Sequence, residues 1–220
     1  MKSKHTDEEL VKRSYSVEIR ADETEKGVIV GVPIVFEQKT RIQDWGGEYD
    51  EIISRDALKN ADLKDVLLCV NHDVGKIALA RSKNGNDNST MSFEIKNDGM
   101  HMRAMLDIEN NAEAKSLYSA IKRGDMSGMS FMFRVRGDKW TDLNKEIPTR
   151  TVTDISIVHE VSVVNFPAYP QTSVNARSGD QERSYSALVE ARKKYAEETE
   201  RSKNAELELL KLKCKILSEV

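Results

Sequence analysis

Residues 124–133, GDMSGMSFMF, carry the chain from the end of a helical pattern into an apolar strand, and the reading of that junction decides the fold. Upstream, AEAKSLYSAIKR at 112–123 sets Ala114, Leu117 and Ile121 at helical spacing. Gly124 then stands where a left-handed residue is expected just past a helix C-terminus. Downstream, a strand starting near Met129 turns Met129, Phe131, Phe133 and Val135 to one face and Ser130, Met132 and Arg134 to the other. Ser130 is on the less apolar face beside an arginine, and Ser127 falls in the turn. From residue type alone, each hydroxyl has the ordinary role of satisfying nearby backbone groups.

The same grammar extends outward. Tyr15, Val17 and Ile19 alternate with Ser16, Glu18 and Arg20, and GVIVGVPIVF at 27–36 is a more continuously apolar strand. Ser54 as N-cap with Asp56 in the first turn predicts a short helix over SRDALKNA, 54–61. VLLCVNHD (66–73) and IALARS (77–82) predict two short strands. TMSFEIK and MHMRAMLD predict a hairpin about Asn97-Asp98-Gly99. A polar excursion at 137–150 leads to TVTDISIVHEVSVVNF, which Pro167 stops. About eight strands and two helices in the first 175 residues make an α+β domain on a largely antiparallel sheet or barrel.

The chain divides into a polar lead (1–12), this domain (13–175), a polar linker (176–183) and a helical tail (184–220). The tail has no Gly or Pro. It places Leu188, Ala191, Tyr195, Ala205, Leu209, Leu212 and Ile216 on a three-four repeat, which Glu198 and Ser202 interrupt. That is the pattern of a coiled-coil-like helix that pairs with something. A net charge of −3 gives no general attraction for nucleic acid. Two cysteines, Cys69 and Cys214, in unlike surroundings make no disulfide framework, so a reducing compartment is expected. No apolar run approaches the roughly 18 residues of a membrane span, and none has the form of a signal peptide, so no membrane role is expected.

A serine nucleophile needs a base and an orienting group. His72, where an apolar strand runs out in Asn71-His72-Asp73, is well placed to direct one ring nitrogen at a partner while the other is held. Taken alone, such a histidine is ordinarily a turn or packing residue. Cys69 and His72, three apart on a strand, face opposite sides, which disfavours both a zinc pair and a local Cys-His dyad. His5 and His101 have no neighbours that suggest a role.

Three motifs in order, VLLCVNHD at 66–73, SGMSFMF at 127–133 and HEVSVVNFPAY at 159–169, resemble those of the prohead maturation serine proteases of tailed bacteriophages, relatives of the herpesvirus assemblins. The resemblance covers about residues 13–174. It implies a herpesvirus-protease-like, mostly antiparallel β-barrel of about seven or eight strands with a few helices. It implies a serine endopeptidase that cuts scaffold or capsid-protein segments, and itself, inside the immature capsid in the host cytoplasm, with no cofactor or metal. Carried over by motif position, His72 is the base and Ser130, the serine of Gly-Met-Ser-Phe, the nucleophile. Glu160 matches the third position, with His159 as the alternative because the herpesvirus relatives use a second histidine. Regular alternation puts His159 with Ile155, Ile157, Val161 and Val163, and Glu160 with Asp154, Ser156 and Ser162, so only one of the two can join the site. Arg134 and Arg136 are suggestive as oxyanion donors. Partners are then the major capsid protein or its scaffold segment and further copies of the chain. The competing class is a catalytically silent assembly protein that keeps the fold and scaffolds through its tail.

Overall fold

The computed structural model describes residues 8–15, 19–44, 46–83, 86–165 and 187–218. Among these, eleven strands and two helices follow in the order β1 (Glu9–Tyr15), β2 (Ile19–Ala21), β3 (Val28–Val35), β4 (Thr40–Asp44), β5 (Gly47–Ile53), β6 (Leu67–Val70), β7 (Ala80–Arg81), β8 (Met91–Ile95), β9 (Gly99–Met105), α1 (Ala112–Arg123), β10 (Gly128–Thr141), β11 (Thr149–Val164) and α2 (Ala187–Ser218). β1 takes in residues 9–12, which the sequence assigns to the polar lead. The linker at 176–183 lies outside the described residues.

The strands form two sheets. One is seven-stranded, in the order β1-β10-β11-β5-β4, with β6 also on β11 and β7 on β6; the other is β2-β3-β9-β8. A single core joins them. Ile29, Ile34, Met100 and Met102 of the smaller sheet cluster with Phe131, Phe133, Val161 and Val163 of the larger and with Ala114, Leu117 and Ile121 of α1. Burying each of these side chains except the small Ala114 contributes about 1.5–3 kcal/mol.

The expected barrel does not form: the sheets stay separate, and no ladder joins them among the described residues. β11 explains part of this. Its first residues pair in parallel with β5 (Thr149↔Asp50 to Val152↔Ile53) and its last with β6 (Glu160↔Leu67 to Val163↔Val70). The far side of the sheet is thereby divided between β5-β4 and β6-β7, and neither group pairs with a strand of the second sheet.

The middle of β11 bonds to residues 54–62 instead, which corrects the short helix expected there. Ala57, Lys59 and Ala61 each close a three-residue turn, onto Ser54, Asp56 and Leu58. The Ala57 carbonyl, which a helix would use four residues on, accepts the Ile155 N–H at 2.8 Å. Asp62 likewise bonds Ser156 and Val158.

α1 forms over Ala112–Arg123 as its spacing requires. Asn111 caps it by accepting the Glu113 and Ala114 N–H groups, and Gly124, at φ 81°, closes it through two backbone bonds. The β8-β9 hairpin also forms as expected. The polar excursion at 137–150 is largely strand: β10 continues to Thr141, and only residues 142–148 turn before β11 begins.

Candidate active site

β6 ends at Val70, and the next two residues, Asn71 (φ 52°) and His72 (φ 63°), are both left-handed. Asparagine tolerates that conformation well, and its side chain accepts the Asn165 N–H at 3.1 Å, tying the loop to the end of β11. For His72 the conformation is less favourable, and it is held by the bond of its own N–H to Ser162 Oγ at 3.0 Å. The double left-handed turn swings the imidazole back over β11.

There Nδ1 of His72 meets Oε1 of Glu160 at 2.5 Å. Ser162 donates to the other carboxylate oxygen at 2.6 Å. Glu160 and Ser162 are fully buried, and the His72 side chain is 12% exposed. With both its oxygens taken, the carboxylate holds the imidazole at Nδ1, and Nε2 makes no hydrogen bond among the described residues. A histidine held this way can accept a proton at Nε2 while the carboxylate stabilises the resulting cation.

Ser130 occupies the adjacent strand. Its position pairs with Ser162 on β11 and with Ser14 on β1, while Ser162 pairs in turn with Cys69 on β6. Paired residues share a face, so one row across four strands reads Ser14, Ser130, Ser162, Cys69. Ser130 is fully buried; its hydroxyl donates to the Arg13 carbonyl at 2.8 Å and accepts from Ser14 Oγ at 2.8 Å. No hydrogen bond joins it to His72. Ser127 is exposed, one residue ahead of β10.

Cys69, the last member of this row, is without nucleophilic character. Burial, and then the charges of Glu160 and Asp73, push its thiol up to about 11, so the thiolate is disfavoured. His101 pairs with Asp98 at 2.9 Å in the β8-β9 hairpin of the other sheet. Arg134 donates to the Glu8 carbonyl, and Arg136 lies near Glu8 and Asp154. His5 lies outside the described residues.

The alternation expected for β11 fails at His159. Glu160 pairs with Met132 and Val158 with Phe133, which leaves His159 as the extra residue of a β-bulge. Val158, not Ile157, is the residue opposite Phe133, and Ile157 lies opposite Arg134. The bulge takes His159 out of the alternation that grouped it with Ile155 and Ile157. The His159 ring feels both Arg134 and Glu160, and burial, reinforced by Arg134, holds its pKa below the usual 6.5. Its Nε2 is buried with no hydrogen-bond partner among the described residues.

Two participants escaped the sequence. Ser162 was available in principle, because it stands two residues from Glu160 on one strand face. Ser14 was not, since only the β1-β10 register brings it to Ser130.

Residues 15–185 match the family of caudovirus prohead serine proteases. The chain belongs to that family. The matched span holds His72, Ser130, His159, Glu160 and Ser162; all of β1 except Tyr15, and all of α2, lie outside it. No curated protein matches the chain. Among solved structures, the bacteriophage T4 capsid assembly protease is similar at 13% identity and a TM-score of 0.42, over 72% of this chain and 98% of that one.

Proposed function

We propose that this prohead serine protease is an endopeptidase that cleaves scaffold or capsid-protein segments, and its own chain, inside the immature capsid in the host cytoplasm. Ser130 is the nucleophile, His72 the general base and Glu160 the carboxylate that orients it. The observation that carries the reading is the contact of Glu160 with His72 Nδ1, which sets the tautomer a general base requires. Glu160 rather than His159 completes the triad, because it alone of the two is hydrogen-bonded to His72.

In this mechanism His72 Nε2 takes the Ser130 proton as Oγ bonds to the peptide carbonyl carbon. The tetrahedral oxyanion collapses as His72 returns the proton to the leaving amine, and water repeats the sequence on the acyl-enzyme. The Ser130 hydroxyl first has to turn away from the Arg13 carbonyl. Nucleophile–base contacts commonly close only in the substrate complex.

Co-expression with the phage capsid protein and its scaffold segment tests the proposal. A new N-terminus is expected with the intact chain and not with Ser130→Ala or His72→Ala. The burial of Ser130 and its two bonds to β1 favour a second reading, a catalytically silent assembly protein that retains the fold. Uncut capsid protein beside a folded, intact chain decides for that reading.

A further inference from the structure

Helix α2 is docked by its first turns only. Ala187, Leu188 and Ala191 are buried, with Leu188 over Gly47, and Arg192 donates to the Lys145 and Glu146 carbonyls. Beyond them Leu209, Leu212 and Ile216 are 52%, 55% and 55% exposed. Heptad positions a fall on 188, 195, 202, 209 and 216, and positions d on 191, 198, 205 and 212.

The charges flanking this seam indicate what covers it. Arg201 and Glu208 are g residues; Glu206 and Lys213 are e residues. When two copies of the helix lie parallel and in register, each g residue faces the partner's e residue of the next heptad. Arg201 then meets Glu206, Glu208 meets Lys213, and Lys194 meets the neutral Thr199. Both charged pairs attract, and no like charges meet. Glu208 also reaches Lys211 of its own helix at 2.9 Å, an exposed pair that leaves it able to turn. An antiparallel pair that stacks Leu209 on Leu212 would set Glu206 against Lys213 and Glu208 against Lys215, but gives Arg201 no part in either contact, whereas the parallel register uses it.

We infer that the exposed seam of α2 is covered by the same helix of a second copy of this chain, parallel and in register, through Ala205, Leu209, Leu212 and Ile216. Glu198 and Ser202 break the seam above them, so the pairing is short and its strength follows concentration. Leu207, Leu210 and Cys214 face outward in that pair. The inference does not rest on the proteolytic reading.

The test uses the full chain carrying Ser130→Ala, confirmed by mass to extend to Val220. Sedimentation over a range of concentrations is expected to show a monomer–dimer equilibrium. Leu209→Asp with Leu212→Asp is expected to give monomer throughout, with an unchanged thermal transition of the domain. Arg201→Glu should weaken the dimer, and adding Glu206→Arg should restore it. Orientation is read by crosslinking: Leu212→Cys in a Cys214→Ser chain should form an intermolecular disulfide on mild oxidation, because like d positions face each other in a parallel pair. The native Cys214 should not. A chain that stays monomeric at every concentration, or binds only a scaffold peptide, overturns the inference. So does a dimer that Leu212→Cys fails to crosslink or that ignores the charge reversal.

Discussion

Ser162 gives its hydroxyl proton to Glu160 at 2.6 Å and accepts the backbone N–H of His72 at 3.0 Å, so one buried side chain joins the carboxylate to the loop that carries the imidazole. Removing it leaves a carboxylate oxygen and an N–H short of partners where water has little access. Ser162→Ala is expected to destabilise the fold by about 1–3 kcal/mol. It should also lower kcat more than it raises KM, because both bonds of the Ser162 hydroxyl go to the groups that place the imidazole. Urea titration alongside steady-state kinetics separates the two effects; a loss of stability with unchanged kcat removes Ser162 from the site.

Glu160 and His159 are adjacent, yet their replacement has different consequences. Glu160→Gln keeps the shape of a fully buried side chain but presents an amide to Nδ1, and it is expected to cut turnover by several orders of magnitude. His159→Leu should leave activity intact, since the ring contributes no hydrogen bond through Nε2. Its effect appears in acid. The folded-state pKa of His159 is lowered, so as pH falls below 6.5 the unfolded chain takes up a proton that the folded chain resists, and stability drops. His159→Leu should flatten that drop between the usual histidine pKa and the lower folded one. Melting temperatures measured across this window decide it; parallel curves for variant and parent would show that His159 does not titrate as argued.

What could be read from the sequence was what local chemistry determines. α1 follows from its spacing and Gly124, and the β8-β9 hairpin from Asn97-Asp98-Gly99, because each closes its bonds within a few residues. The barrel, the helix at 54–61 and the regular alternation through His159 all failed at β11. There distant segments claim single backbone groups: the Ala57 carbonyl goes to Ile155, and a bulge consumes His159. Alternation counts residues, and a bulge changes the count without altering the composition of the strand. Motif order pointed to His72 and Glu160, which the fold brings into contact, but the bonds from Ser130 to β1 depend on a strand partner more than a hundred residues away.

Glu51 is buried between Arg13 and Arg150, the former at 2.5 and 2.9 Å, the latter at 3.3 Å, and Arg150 also reaches Glu9 and Asp138. Burial opposes the Glu51 charge, but the two arginines, Arg13 foremost, outweigh it and hold the carboxyl below its usual 4.5. Its contribution is therefore complete above that value and lost as pH falls through the lower folded pKa. Glu51→Gln leaves two buried cations short of an anion and is expected to cost about 3–5 kcal/mol at neutral pH. It should also weaken the acid dependence. Because Arg13 holds Ser130 through its carbonyl, a loosened β1 should be visible as faster amide exchange along Glu9–Tyr15. Unaltered exchange there would detach the ion cluster from the site.

The docked first turns of α2 decide where the tail can be cut. Leu188 is fully buried, so a chain ending at Gly179 uncovers the surface beside Gly47 and loses a contact worth about 1.5–3 kcal/mol. A chain ending at Lys193 keeps Leu188, Ala191 and the Arg192 bonds to the turn before β11. The shorter chain is expected to melt lower, the longer one to melt with the parent, and both to stay folded and cleave substrate, since the proposed triad of His72, Ser130 and Glu160 is intact in each. Both should stay monomeric at every concentration, because each lacks the exposed seam. Self-cleavage between Ala176 and the start of α2 would release the whole helix, and mass spectrometry reads it: the tail should persist in Ser130→Ala and be lost, at least in part, from the parent. If the parent keeps Val220, the helix is a permanent part of the enzyme and its seam stays available for pairing after cleavage.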